Sequence, residues 1–95
     1  MPAYLIADVE VQDSAAYEEY RKHVPTLIAA HGGRYLVRGG TVTVAEGNWQ
    51  PRRAVVLEFP SMAALQAFYD SPEYAPLKAQ RIGASDSRIV FVEGV

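Results

Sequence analysis

Arg53-Ala54-Val55-Val56-Leu57-Glu58-Phe59-Pro60-Ser61 carries the pattern that decides the fold. Val55, Val56, Leu57 and Phe59 give a short, nearly continuous apolar run, the mark of a strand covered on at least one face. Pro60-Ser61 stops it, and Ser61 is placed to cap a helix, because its hydroxyl can accept from an orphan backbone N–H of the first turn. Leu65, Phe68 and Tyr69 then fall on one side of that helix. Further on, Tyr69-Asp70-Ser71-Pro72-Glu73-Tyr74 breaks the helix and restarts it, with Ser71 as cap and Pro72 at the first helical position. Pro76 is expected to disturb this second segment, and Arg88 to Glu93 reads as the last strand.

Upstream the same order of elements occurs once more. Ala3 to Val11 alternates, with Leu5, Ala7, Val9 and Val11 on one face and Tyr4, Ile6, Asp8 and Glu10 on the other. Asp13 can cap a helix on which Tyr17, Tyr20, Val24, Leu27 and Ile28 recur at helical spacing. Pro25 removes one internal hydrogen bond, so a bend is expected there. Gly32-Gly33 ends the helix, since glycine reaches the left-handed conformation without a Cβ clash. Arg34 to Arg38 is a short strand, and Thr41 to Glu46 is expected to extend or re-enter it past the bend at Gly39-Gly40. Gly47 to Pro51 is a loop. The sum is strand–helix–strand twice over: an α+β, ferredoxin-like βαββαβ domain spanning 1–95 with a four-stranded antiparallel sheet. Helices cover one sheet face only. Tyr4, Ile6 and Val56 would lie on the other, a patch suited to association, and a symmetric homodimer laid sheet against sheet is the expectation.

Composition narrows the function. A chain of 95 residues buries only roughly 60–65 % of its unfolded surface, yet 49 % of this one is hydrophobic, which also points to a second copy. The net charge of −2 gives no long-range pull toward nucleic acid or an anionic membrane. Arg34, Arg38, Arg52 and Arg53 alternate with acids, so a nucleic-acid partner is not expected. There are no cysteines, hence no disulfides and no thiolate metal sites. No apolar run is long enough to span a bilayer, and no secretory pattern is visible at Met1-Pro2-Ala3-Tyr4; a cytoplasmic location is the expectation. His23 and His31 sit eight positions apart, about 12 Å along a straight helix, too far to share one ion. No metal site and no bound cofactor are required.

Several motifs together resemble a bacterial family known as domain of unknown function 1330. They are the Arg-Gly-Gly at 38–40, the Glu-Gly-x-Trp-x-Pro-x-Arg at 46–53, the Glu-Phe-Pro-Ser at 58–61, the Tyr-x-Ser-Pro-Glu-Tyr at 69–74 and the closing Val92-Glu93-Gly94. The resemblance covers essentially the whole chain. It implies a dimeric α/β barrel, in a superfamily that includes cofactor-independent monooxygenases, isomerases and small ligand-sensing domains. It carries no established reaction. Pro76 departs from the pattern, next to Tyr74 and Arg81.

The candidate site residues follow from charge and aromaticity. Glu58 interrupts an apolar strand and shares a face with Ala54 and Val56; a carboxylate there needs a cationic partner, and Arg34 and Arg38 are available if they point the same way. One reading is a polar cavity in which Arg38 holds an anionic ligand and Glu58 moves a proton. The other is an ion pair that only fixes the assembly. Trp49, on a loop, reads as a wall for a planar ligand or as packing over the sheet. Tyr69, Tyr74 and Arg81 read as a pocket rim or as core and helix-end contacts. The function expected is binding of a small planar or anionic organic molecule, with isomerase or monooxygenase-like chemistry if it is an enzyme; the alternative is a non-catalytic dimeric module.

Overall fold

The computed structural model describes residues 1–95. The elements are β1 (Ala3–Val11), α1 (Ser14–Ala30), β2 (Arg34–Arg38), β3 (Ala54–Phe59), α2 (Met62–Tyr69), α3 (Tyr74–Ala84) and β4 (Ser85–Glu93). All strand pairings are antiparallel and the sheet order is β2-β3-β1-β4, so the fold is α+β and ferredoxin-like. On β1 the residues Ala3, Leu5, Ala7 and Val9 are buried and their neighbours are not, as the alternation predicts. Leu57 and Phe59 of β3 join them, with Ile89 and Phe91 of β4 partly covered beside them. The helices close this face through Tyr17, Tyr20, Val24 and Ile28 of α1, Leu65 and Phe68 of α2, and Tyr74 and Ala84 of α3.

Local chemistry sets the helix ends. The Asp13 carboxylate accepts from Ala16 N at 3.1 Å, and Ser61 Oγ accepts from Ala64 N at 3.1 Å. At the end of α1, Gly33 N donates to Ile28 O and Gly32 N donates to Ala29 O, with Gly32 at φ +80°. This is a Schellman closure, and the left-handed residue it needs is the glycine. Gly33 also lies where a Cβ would meet the Phe59 ring at 2.5 Å, so the helix end is pressed onto the core.

Two sequence expectations are corrected. Thr41 to Glu46 forms no strand. The alternation is there, but β2 pairs with β3 only over Arg34–Arg38, and 41–46 joins no strand ladder. Pro76 does not disturb α3. It is the third residue of the helix, where the N–H that proline lacks would have no helical partner. α1 runs unbroken through Pro25. Ser71 acts as expected near the start of α3, accepting from Tyr74 N at 3.2 Å, although the helix begins two residues after Pro72.

Candidate functional site

The sheet and the helices do not close fully on each other. Between them lies a cavity of about 50 Å³, room for about three to five water molecules at roughly 10–15 Å³ each. Its floor is Leu5, Ala7 and Val9 of β1 with Val55 and Leu57 of β3, and its roof is α1 from Tyr17 to Ile28, with Phe68 of α2 and Tyr74 and Arg81 of α3 beside it. Four tyrosines, Tyr17, Tyr20, Tyr35 and Tyr74, line it, and so do four arginines, Arg21, Arg38, Arg53 and Arg81. No carboxylate and no imidazole does.

Arg81 is the most buried of the four arginines, only 5 % exposed. Its Nε donates to the Tyr74 hydroxyl and its Nη2 to the Tyr69 hydroxyl, both at 3.4 Å, longer than an ordinary N–H···O bond. The Tyr74 and Tyr20 hydroxyls lie 2.8 Å apart. No acid lies within ion-pairing distance of Arg81; the chain's ion pairs are Arg21–Glu18, Lys22–Glu19 and Arg34–Glu58. Burial works against the Arg81 charge, but the phenol oxygens of Tyr74, Tyr20 and Tyr69 outweigh it, and the guanidinium's pKa lies above its ordinary value. Burial, aided by Tyr74, pushes the Tyr20 phenol far up, so it stays a neutral donor. Burial likewise raises Tyr35, against the pull of Arg38, whose guanidinium stacks 4.5 Å from that ring.

At the other side Arg53 enters from the start of β3. Its guanidinium crosses the bare Cα of Gly39, where a Cβ would come within 2.5 Å of Nη1. Gly39 holds φ +72° and donates from N to Ala54 O at 2.8 Å. The Nε of Arg53 and the Nε of Arg21 are buried without any hydrogen-bond partner. Such orphans are uncommon and mark the place of an acceptor.

The structure brings Arg38, Tyr74 and Arg81 to one cavity, with Tyr69 bonded to it from behind. It does not bring Glu58 there. Tyr35 pairs with Leu57, but Val37 pairs with Val56 and Arg38 with Val55, so Leu36 is an extra residue in β2. That bulge inverts the alternation: Arg38 turns toward the helices while Arg34 stays on the outer face with Glu58. There Arg34 Nε and Nη2 both reach Glu58 Oε1, at 2.8 and 2.7 Å. A site holding both Arg38 and Glu58 is therefore not formed within one chain. Trp49 is also on the outer face, 60 % exposed, donating from Nε1 to Asp8 Oδ2 at 3.2 Å. His31 bonds the Leu27 carbonyl at 3.0 Å through Nδ1. Sequence reasoning placed Tyr17 and Tyr20 in the core but missed their hydroxyl chemistry, and it missed Tyr35, Arg21 and Arg53. The signal available was that a buried phenol needs a polar partner, and the helix faces supplied none.

The sequence matches the family described as domain of unknown function (DUF1330) over residues 2–95. The chain belongs to the DUF1330 family. Among curated proteins no match to this DUF1330 chain is found. Its fold is similar to that of a protein of unknown function from Rhodopseudomonas palustris, at 19 % identity and TM-score 0.79 over 99 % of this chain and 82 % of that one. It is similar to SnoaB, a cofactor-independent oxygenase from Streptomyces nogalater, at 13 % identity and TM-score 0.67, covering 99 % and 93 %. It is also similar to a dimeric ferredoxin-like protein of unknown function from Jannaschia sp. CCS1, at 14 % identity and TM-score 0.66, covering 99 % and 100 %.

Proposed function

We propose that this DUF1330 protein binds a small organic anion in the cavity between sheet and helices. The observation that carries the proposal is Arg81, a buried guanidinium faced by phenols and by no acid. Burying a charge without a counter-charge is costly, and an anionic ligand supplies the missing partner. Arg38, the orphaned Nε atoms of Arg21 and Arg53, and the aromatic walls give it further donors and planar contacts. The cavity admits a small ligand or the head of a larger one.

The likeness to the Streptomyces nogalater oxygenase extends the proposal to chemistry. A substrate acidic enough to lose its own proton to solvent would rest among these donors as an enolate, prepared for reaction without a cofactor. No base from the cavity wall is part of this proposal, because Glu58 lies on the outer face. The same face, with Val90 56 % and Val92 44 % exposed, is proposed to be covered by a second copy. A second reading, a dimeric module without catalysis, is favoured by one observation: the Arg34–Glu58 pair joins β2 to β3 on the outer face, away from the cavity.

Thermal unfolding with added sodium benzoate tests the binding. A ligand that binds only the folded state stabilises it by about 2.7 kcal/mol at a hundred times its Kd. The midpoint should therefore rise with benzoate in the wild type and not in Arg81→Gln. Equal behaviour of the two proteins with benzoate and with a phenolate alike would end the proposal.

A further inference from the structure

The buried cluster has a direction. Guanidinium nitrogens only donate, so the Tyr74 oxygen must accept from Arg81 Nε. The proton left on Tyr74 then has the Tyr20 oxygen, 2.8 Å away, as its hydrogen-bond acceptor. That leaves the Tyr20 proton unspent. Tyr20 lines the cavity, and its only hydrogen-bond partner in the protein is Tyr74. The three groups line up head to tail as Arg81, Tyr74, Tyr20, and in such a chain each bond polarises the next. Reversing the Tyr20–Tyr74 bond would make Tyr74 accept twice and strand its own proton.

We infer that the Tyr20 hydroxyl is the donor that meets the charged oxygen of the ligand, that Tyr74 and Arg81 are positioning residues acting through it, and that the ligand class is a small planar enol or phenol held as its anion. This rests on the anion-binding reading of the cavity. A single hydroxyl offers one bond to one oxygen, whereas a carboxylate is matched best by the two parallel donors of an exposed guanidinium fork. The walls around Tyr20 are Tyr17, Val24, Phe68 and Tyr35, apolar or aromatic surfaces suited to a flat ring or conjugated chain. Donors fixed before the ligand arrives, in a site screened from water, favour an oxygen that carries charge over one that does not. Tyr20 keeps its proton well into the alkaline range, so the donor is present wherever the ligand is ionised.

The probe is 4-nitrophenol, whose anion has its own visible band. Bound to the wild type, the probe should ionise at lower pH than in water, corresponding to about a tenfold preference for the anion. Tyr20→Phe, which keeps the ring and removes the donor, should reduce that preference to about threefold or less and leave the affinity for the neutral phenol unchanged. Arg81→Gln should act in the same direction. The double variant should lose no more than Tyr20→Phe alone, because Arg81 works through Tyr20. If Tyr20→Phe does not fold, Tyr74→Phe breaks the same relay at its middle link and should lower the preference in the same direction as Arg81→Gln, with no further loss when the two are combined. An undiminished preference in Tyr20→Phe, or losses that add in the double variant, overturns the relay. If benzoate raises the wild-type midpoint while nitrophenolate preference survives without Tyr20, only the relay falls. If neither benzoate nor 4-nitrophenol binds, the anion cavity falls with it.

Discussion

Arg81 holds a guanidinium away from water with three phenol oxygens around it and no acid to neutralise it. Leaving a charge buried without a counter-charge costs free energy that an apolar side chain of similar length does not, set against the two long hydrogen bonds that Tyr74 and Tyr69 would lose. Arg81→Met should therefore leave the ligand-free protein about as stable as the wild type. For a domain of this size each kcal/mol of difference moves the melting midpoint by about 4–8 °C. The same variant should lose all stabilisation by benzoate. Paired melting curves, with and without the anion, read both effects. A variant that melts several degrees below the wild type in the absence of ligand would mean that Arg81 is there to hold the Tyr69, Tyr74 and Tyr20 hydroxyls and not to receive an anion.

Between β2 and β3, residues 39–53 follow an irregular path, and Trp49 and Arg52 in it are tied to the sheet by one carboxylate. Asp8 Oδ1 accepts from Arg52 N at 2.9 Å and Oδ2 accepts from Trp49 Nε1 at 3.2 Å. Partial burial works to raise the Asp8 pKa, but these bonds to the charged form prevail and hold it below its ordinary value of 3.8. A group lowered in this way adds stability above its unfolded pKa, and that stability is lost as pH falls through the folded value. The loop should accordingly stay docked at neutral pH and come loose only below about pH 4. Trp49 is the only tryptophan, so its fluorescence reports the docking directly. Asp8→Ala should give at neutral pH the emission that the wild type shows only in acid; a wild-type-like spectrum would mean that other contacts hold the loop. The elements on either side show which features a sequence exposes. Asp13, Ser61 and the Gly32-Gly33 pair act through bonds to residues three to five away, so local rules find them. The period of two along β1 is equally plain. The bulge at Leu36 depends on how β2 docks against β3, and no residue type marks it. For that reason Arg38 and Glu58 look like neighbours in the sequence and stand on opposite faces in the fold. Thr41 to Glu46 fails for a related reason: strand-like alternation does not make a strand without a neighbour to pair with.

Taken whole, the chain offers two faces of one sheet with different chemistry. The covered face holds the cavity and every arginine proposed to meet an anion. The outer face carries Ile6 paired with Val56 and Val90, Tyr4 paired with Val92, and the Arg34–Glu58 ion pair at the edge. Exposed apolar side chains are common singly, but these lie side by side on three adjacent strands, and contiguous patches mark contact surfaces. A two-fold dimer would bury the same patch of both copies in its seam. Val90→Asp puts a carboxylate on β4 within that patch, cross-strand from Ile6 and 56 % exposed in the single chain. In a monomer the aspartate stays in water and should change stability by no more than about 0.5 kcal/mol. In a dimer it is brought into an apolar seam against its own copy, where desolvation and like-charge repulsion act together. The expected outcome is a wild type with twice the chain mass by light scattering and a Val90→Asp variant with the mass of one chain. The variant should also melt at a lower temperature, since the outer face then stands in water. A wild type that scatters as a single chain across the working concentration range would leave the outer face bare, and the excess of hydrophobic residues in so short a chain would then need a different partner.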